Sequence, residues 1–215
     1  MTAQEYLVAH AKSYIGYKEK ASNKNLDNFT ANVGTKNYTR FAKLLDSIVG
    51  FYNGRKNGVA WCDVFVDSMF TEAFGNPTGR LMIYQPTKSL GAGVRYSRNY
   101  YKKAKRLFAE PQIGDQIFFT DPAKNDINYG KHTGIVTAVD ASYVYTVEGN
   151  KSNAVGSGKY KLSNASISGY GRPNWELVAG QYDVPIKYTV TIPNLTESQA
   201  DEIVSLHAGA TKAVE

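Results

Sequence analysis

Cys62 is the chain's one cysteine, and it stands where a helix begins. Along Trp61-Cys62-Asp63-Val64-Phe65-Val66-Asp67-Ser68-Met69-Phe70-Thr71-Glu72-Ala73-Phe74-Gly75, the residues Cys62, Phe65, Val66, Met69, Phe70 and Ala73 recur at three- and four-residue steps. That spacing predicts one apolar helical face, with Cys62 in the first turn and facing inward. Asp63, Asp67 and Glu72 fall off the face, and Gly75 supplies the stop. A thiol in this position feels the positive end of the helix dipole and unpaired N–H groups. Both favour the thiolate, the form that attacks carbonyl carbon. A buried structural cysteine fits the same segment, since cysteine is among the most buried residue types.

A thiol nucleophile needs an imidazole to take its proton and a polar group to hold that imidazole. His132 is the candidate base, with Glu148 and Asn150 as the groups that would orient it; His10 and His207 belong to terminal helices. Two runs rich in β-branched and aromatic residues, His132 to Val139 and Tyr143 to Glu148, predict an antiparallel pair. With Asp140-Ala141-Ser142 as a three-residue loop, Val139 faces Tyr143, Gly134 faces Glu148 and His132 faces Asn150. Opposed residues share a sheet face, so the three polar side chains emerge together, with Gly134 leaving space among them. A loop of even length would misalign the pair. Each residue also has a plainer reading: a satisfied strand histidine, a surface carboxylate, a turn residue after Gly149.

The remaining elements frame these groups. A short amphipathic helix is expected over residues 3 to 15, ending at Gly16, and a polar loop over 20 to 37. A second helix through Phe41, Leu44, Leu45, Ile48 and Val49 stops at Gly50. A helix is expected around Asn99 to Leu107, then strands at Gln116 to Thr120, at the two segments above, and around Ile167 to Tyr170. Gly171-Arg172-Pro173 closes the domain, and Glu176 to Lys187 reads as a linker. Tyr188 to Ile192 alternates as a strand, and Thr196-Glu197-Ser198-Gln199 has capping-box spacing ahead of a final helix. That strand and helix cannot bury enough surface to stand alone. They would dock on the main domain, pair with a second copy or, as the favoured reading, open a small wall-binding domain.

With 42% hydrophobic and 20% charged residues in 215, the composition is that of a folded globular chain. One cysteine excludes an internal disulfide framework and a multi-cysteine zinc site. The first ten residues lack a basic start followed by an apolar run, so no secretory signal is expected, and no window reads as a membrane span. The chain would then be made in a cytoplasm and reach any external substrate by release or with the help of another factor. A net charge of +6 suits polyanionic surroundings such as an acidic bacterial wall. The basic run Tyr100 to Arg106 interleaves aromatics, yet no nucleic-acid-binding motif accompanies it, and a solvated face is expected.

Taken in order, Trp61-Cys62-Asp63-Val64-Phe65-Val66, Gly114-Asp115-Gln116-Ile117-Phe118-Phe119, Lys131-His132-Thr133-Gly134-Ile135-Val136, Val147-Glu148-Gly149-Asn150 and Gly169-Tyr170-Gly171-Arg172-Pro173 resemble the successive motifs of the CHAP family of cysteine amidases and endopeptidases. The resemblance covers residues 1 to 175. It implies an α+β, papain-like (NlpC/P60-related) fold with helices packed against an antiparallel sheet. It also implies Cys62 as nucleophile, His132 as base, Glu148 and Asn150 as orienting residues, and bacterial peptidoglycan as substrate, as in phage endolysins. The backbone N–H of Cys62 would hold the oxyanion, with Asn57 as a second donor of little support. Some CHAP lysins carry an aspartate-rich calcium loop before the cysteine. Here Asn53-Gly54-Arg55-Lys56-Asn57-Gly58 is basic, and Asp121 and Asp126 lack EF-hand spacing, so no metal or other cofactor is expected. Membrane and nucleic-acid partners are not expected either, and oligomeric state is left open. The competing reading is a non-catalytic wall- or polyanion-binding module on the same fold.

Overall fold

A computed structural model describes residues 1–90, 92–124, 126–182, 196 and 199. Helix α1 (Ala3–Lys12) opens with a reciprocal capping box between Thr2 and Glu5, which satisfies two N–H groups a helix start leaves unpaired. Helix α2 (Arg40–Asp46) is capped by Thr39 and ends a turn earlier than expected, with Val49 fully exposed beyond it. Helix α3 (Cys62–Phe74) stops at Gly75, whose φ of 74° suits glycine. A short helix α4 (Thr78–Met82) follows, and α5 (Val94–Lys103) begins at Gly93. The helix expected at 99 to 107 thus lies several residues earlier in the chain. Its basic run is divided between the core, which takes Tyr101, and solvent, which takes Lys102, Lys103 and Lys105.

Six strands form one antiparallel sheet: β1 (Leu107–Phe108), β2 (Gln116–Phe119), β3 (His132–Val139), β4 (Tyr143–Lys151), β5 (Ala154–Lys161) and β6 (Ile167–Gly171). Their spatial order is β1-β6-β2-β3-β4-β5. Alternation along the strands sends Phe118, Ile135, Val147 and Val155 into the core shared with the helices. Ile117, Phe119, Val136, Val144 and Tyr170 build a second cluster on the other face. This is the α+β arrangement of helices on an antiparallel sheet that the motifs led one to expect.

The hairpin differs from its expected form in an instructive way. Val139 pairs with Val144, so four residues, Asp140 to Tyr143, bridge the strands, where three were expected. A β-bulge between Val136 and Ala138 adds one residue to β3 and cancels the slip, so Val136 pairs with Thr146 and Ile135 with Val147. The register toward His132 and Glu148 is therefore the expected one, reached by a different route.

Helix α3 is enclosed all round: Val64, Phe65, Val66, Met69 and Phe70 are buried, and so are Asp63 and Asp67. The sequence reading put both aspartates off the buried face, which fails because α3 has neighbours on every side. Against β4 the fit leaves no slack, as a Cβ on Gly149 would run into the Phe65 side chain and meet Trp61 Cε3 at 3.0 Å. Emptying such a position, as in Phe65→Ala, costs about 3–5 kcal/mol. Of the stretch that reads as a linker from 176, Val178 is buried, and Tyr182 packs on Tyr6 and Phe74 while its hydroxyl donates to the Ala73 carbonyl at 3.0 Å. The expected strand at 188 to 192 lies outside the described residues. Thr196 and Gln199 exchange the hydrogen bonds of a capping box.

Candidate active site

Cys62 is the first residue of α3, and the residue before it is anchored with care. Trp61 is fully buried, stacks on Phe41, and donates its indole N–H to Glu19 Oε2 at 2.8 Å. Glu19 is itself buried and accepts the Asn37 N–H on its other oxygen at 3.2 Å. It is held in place because residues 17 to 19 pair with the start of β5 through backbone bonds to Asn153 and Val155. The helix start is thereby tied at once to the sheet and to the polar loop.

The surroundings of the sulfur overturn one expectation. Burial pushes the Cys62 thiol up to about 12, and the neighbouring Asp63 adds to the rise. Backbone N–H groups of Asp63, Cys62 and Thr133 act the other way but do not win. The helix start thus supplies the anticipated donors, yet the loss of water outweighs them and the resting group is a thiol. A nucleophile in that state has to surrender its proton to a base as it attacks. The Thr133 N–H among its partners puts the sulfur against β3 one residue from His132.

His132 Nε2 lies 2.9 Å from Glu148 Oε2. Burial alone would raise the Glu148 carboxyl, but hydrogen bonds from His132, Thr146 and Tyr160 outweigh it and hold the group down to about 2. An ionised carboxylate only accepts, so the proton of the neutral imidazole is on Nε2 and the lone pair is on Nδ1. Phe119 stacks on the ring and fixes its plane. Two glycines make room for the carboxylate. A Cβ on Gly134 would meet Glu148 Cγ at 2.6 Å, and one on Gly158 would overlap Glu148 Oε1. Gly134 fills the spacer role expected of it, whereas Gly158, on the unanticipated strand β5, had no signal in the sequence.

Asn150 is at the same end of β4 but is engaged elsewhere. Its φ of 57° turns the chain, and its Nδ2 donates to Asn37 Oδ1 at 3.3 Å. The hydrogen bond expected from the Asn150 amide to the imidazole is replaced by a clamp on the polar loop. Asn57, considered as an oxyanion donor, spends its amide on the Thr39 N–H at 3.0 Å and on Asn23 Oδ1 at 3.0 Å. Asp121 and Asp126 close local turns onto the Ala123 and Asn128 N–H groups.

Sequence reasoning missed three partners of Glu148. Thr146 donates to Oε1, Tyr160 to Oε1 at 2.8 Å, and Lys151 to both oxygens at 3.2 and 3.1 Å. Thr146, two residues from Glu148 on the same strand, was legible by alternation; the other two depend on β5 and on a bulge. Also missed was a polar layer beneath the cysteine. Asp63 accepts from Ser97 Oγ at 2.7 Å and Gln116 Nε2 at 3.0 Å. Asp67 accepts from the Tyr52 hydroxyl at 2.6 Å and, with its amide suitably turned, from Gln85 at 2.9 and 3.2 Å. Burial pushes Asp63 up to about 6 and Asp67 well above the ordinary carboxylate range.

No curated protein and no solved structure matches the chain. A family model does: the CHAP domain, over residues 54–150, a span that includes Cys62, His132, Glu148 and Asn150. Residues 54–150 are therefore similar to the CHAP domain, a class whose members are in general amidases or peptidases of peptidoglycan.

Proposed function

We propose that the chain is a cysteine-dependent peptidoglycan hydrolase of the endolysin kind, cleaving either the muramoyl-alanine amide or a peptide bond of the stem or cross-bridge. The observation that carries this reading is the His132–Glu148 hydrogen bond of 2.9 Å on the strand that adjoins the sulfur of Cys62. His132 Nδ1 takes the thiol proton as sulfur attacks the amide carbon, so no free thiolate need accumulate. The Cys62 N–H, at the start of α3, stabilises the developing oxyanion. The imidazolium then protonates the departing amine. A water attacks the thioester, losing its proton to His132, and the thiol is restored. Glu148 stays ionised throughout and serves as a positioning residue, while Asn150 holds the loop beside the site through Asn37. Release from the cytoplasm at lysis, or passage with another factor, would bring the enzyme to the wall.

Purified protein should clear suspensions of isolated bacterial wall and lose this activity to iodoacetamide. Mass spectrometry of the released fragments identifies the bond. Clearing that survives thiol blocking would end the assignment. Tight wall binding without any released fragments would favour a binding module instead.

A further inference from the structure

Glu148 serves two nitrogen donors at once, the His132 imidazole and the Lys151 ammonium. Opposite His132, Lys151 Nζ reaches both carboxylate oxygens, donates to the Tyr160 hydroxyl at 2.8 Å, and lies 5.1 Å over the Tyr160 ring. This arrangement depends on a backbone irregularity. Glu148 pairs with Gly156 and Lys151 with Ala154, so β4 spends three steps where β5 spends two. In a regular strand, residues three apart point to opposite faces; the extra residue returns Lys151 to the face of Glu148. Asn150, in the left-handed region at φ 57°, absorbs the turn. The carboxylate is 1% exposed and the lysine side chain 33%, so the anion is shielded from solvent while the cation keeps partial access to it.

We infer that Lys151 is a positioning residue for the reaction proposed above: swung inward by the β4 bulge, its ammonium offsets the charge of Glu148, so the carboxylate orients His132 without tightening the imidazole's hold on its proton. An imidazole paired with an uncompensated carboxylate is in general favoured in its charged form, which cannot act as a base. The groups facing His132 are Glu148 from β4, the Phe119 ring from β2 and, through Thr133, the Cys62 thiol of α3. Those facing Glu148 are Thr146 and Lys151 from β4, Tyr160 from β5 and His132 from β3. Burial keeps the Tyr160 phenol neutral, which leaves Lys151 as the only permanent cation in this set of contacts.

The test compares Lys151→Met and Lys151→Arg with the parent. It uses the pH profile of kcat/KM on wall substrate and NMR titration of the His132 ring, assigned with His132→Gln. In Lys151→Met the acid limb and the ring's titration midpoint should both move to higher pH by on the order of one unit, and Lys151→Arg should restore them. Equal loss of activity at every pH, with the ring titration unmoved, would mean that Lys151 only supports the fold and would overturn the inference. If Lys151→Met does not fold, Lys151→Gln removes the charge while keeping a polar side chain; a shift in the same direction supports the role and an unmoved midpoint refutes it. The titration needs no turnover. A chain inactive on walls would therefore sink the proposed reaction while this question was still decided.

Discussion

Glu148 on β4 and the pair Asp63 and Asp67 on α3 are all buried carboxylates, yet their ionisation is driven in opposite directions. Glu148 receives an ammonium, an imidazole N–H and two hydroxyls. Asp63 and Asp67 receive only neutral donors, and the charge of Asp63 weighs on Asp67. Burial is similar; partners differ. Desolvation sets a cost for the charged form, and cationic and hydroxyl donors decide whether it is offset. One region is thereby built to keep its charge well into acid, the other to hold its protons above the ordinary carboxylate range.

The most severe break in this contrast is made where the charged region meets the sulfur. Cys62→Ala should abolish wall cleavage, and His132→Ala should lower it by about a hundred- to ten-thousandfold, with far-UV circular dichroism unchanged in both. Near-parent rates in either variant would show that the charged region does no chemistry.

Next in size is Glu148→Gln, which makes the charged region resemble the neutral one. Activity should fall by on the order of a hundredfold or more, and stability by about 1–3 kcal/mol, as Lys151 loses its partner. The parent's pH dependence follows from the sign. With its carboxyl at about 2, against 4.5 unperturbed, Glu148 adds stability that is complete above about pH 4.5 and disappears as pH falls toward 2. Urea midpoints measured across that window should show this slope in the parent and lose part of it in Glu148→Gln.

The neutral region predicts the opposite sign and a smaller effect. Folded values above the ordinary 3.8 mean that the folded state binds extra protons, so stability declines as pH rises through 3.8 toward about 6 for Asp63 and beyond that for Asp67. Asp67→Asn keeps an acceptor for the Tyr52 hydroxyl and removes the titration. The gap in Tm between pH 5 and pH 8 should narrow by roughly 2–4 °C. An unchanged gap would mean that the pair is not the source of the decline.

Asn150→Ala should have the mildest consequence, because its amide clamps Asn37 and does not touch the imidazole. A cost of about 1–2 kcal/mol is expected for placing alanine at positive φ, with Asn150→Gly recovering most of it. If Asn150→Gly folded like the parent but cleaved as poorly as His132→Ala, the amide would have a chemical role after all.

Periodicity in the sequence was enough to place Cys62 at the start of α3 and Gly75 at its end. Alternation in β3 and β4, with Gly134 between them, was enough to bring His132 and Glu148 onto one face. Those inferences rest on local rules, the helical and strand repeats and the smallness of glycine, which hold whatever surrounds the segment. The tertiary structure decided the rest. The bulge at Thr137 restored a register that a four-residue loop would have lost, and the bulge before Lys151 turned that ammonium inward and Asn150 away. Neither leaves a mark in sequence, since a bulge is selected by the fit of one strand on its neighbours. The ionisation states of Cys62, Asp63, Asp67 and Glu148 likewise depend on how much water the packed helices and sheet remove. That quantity belongs to the assembled fold and to no single segment of the chain.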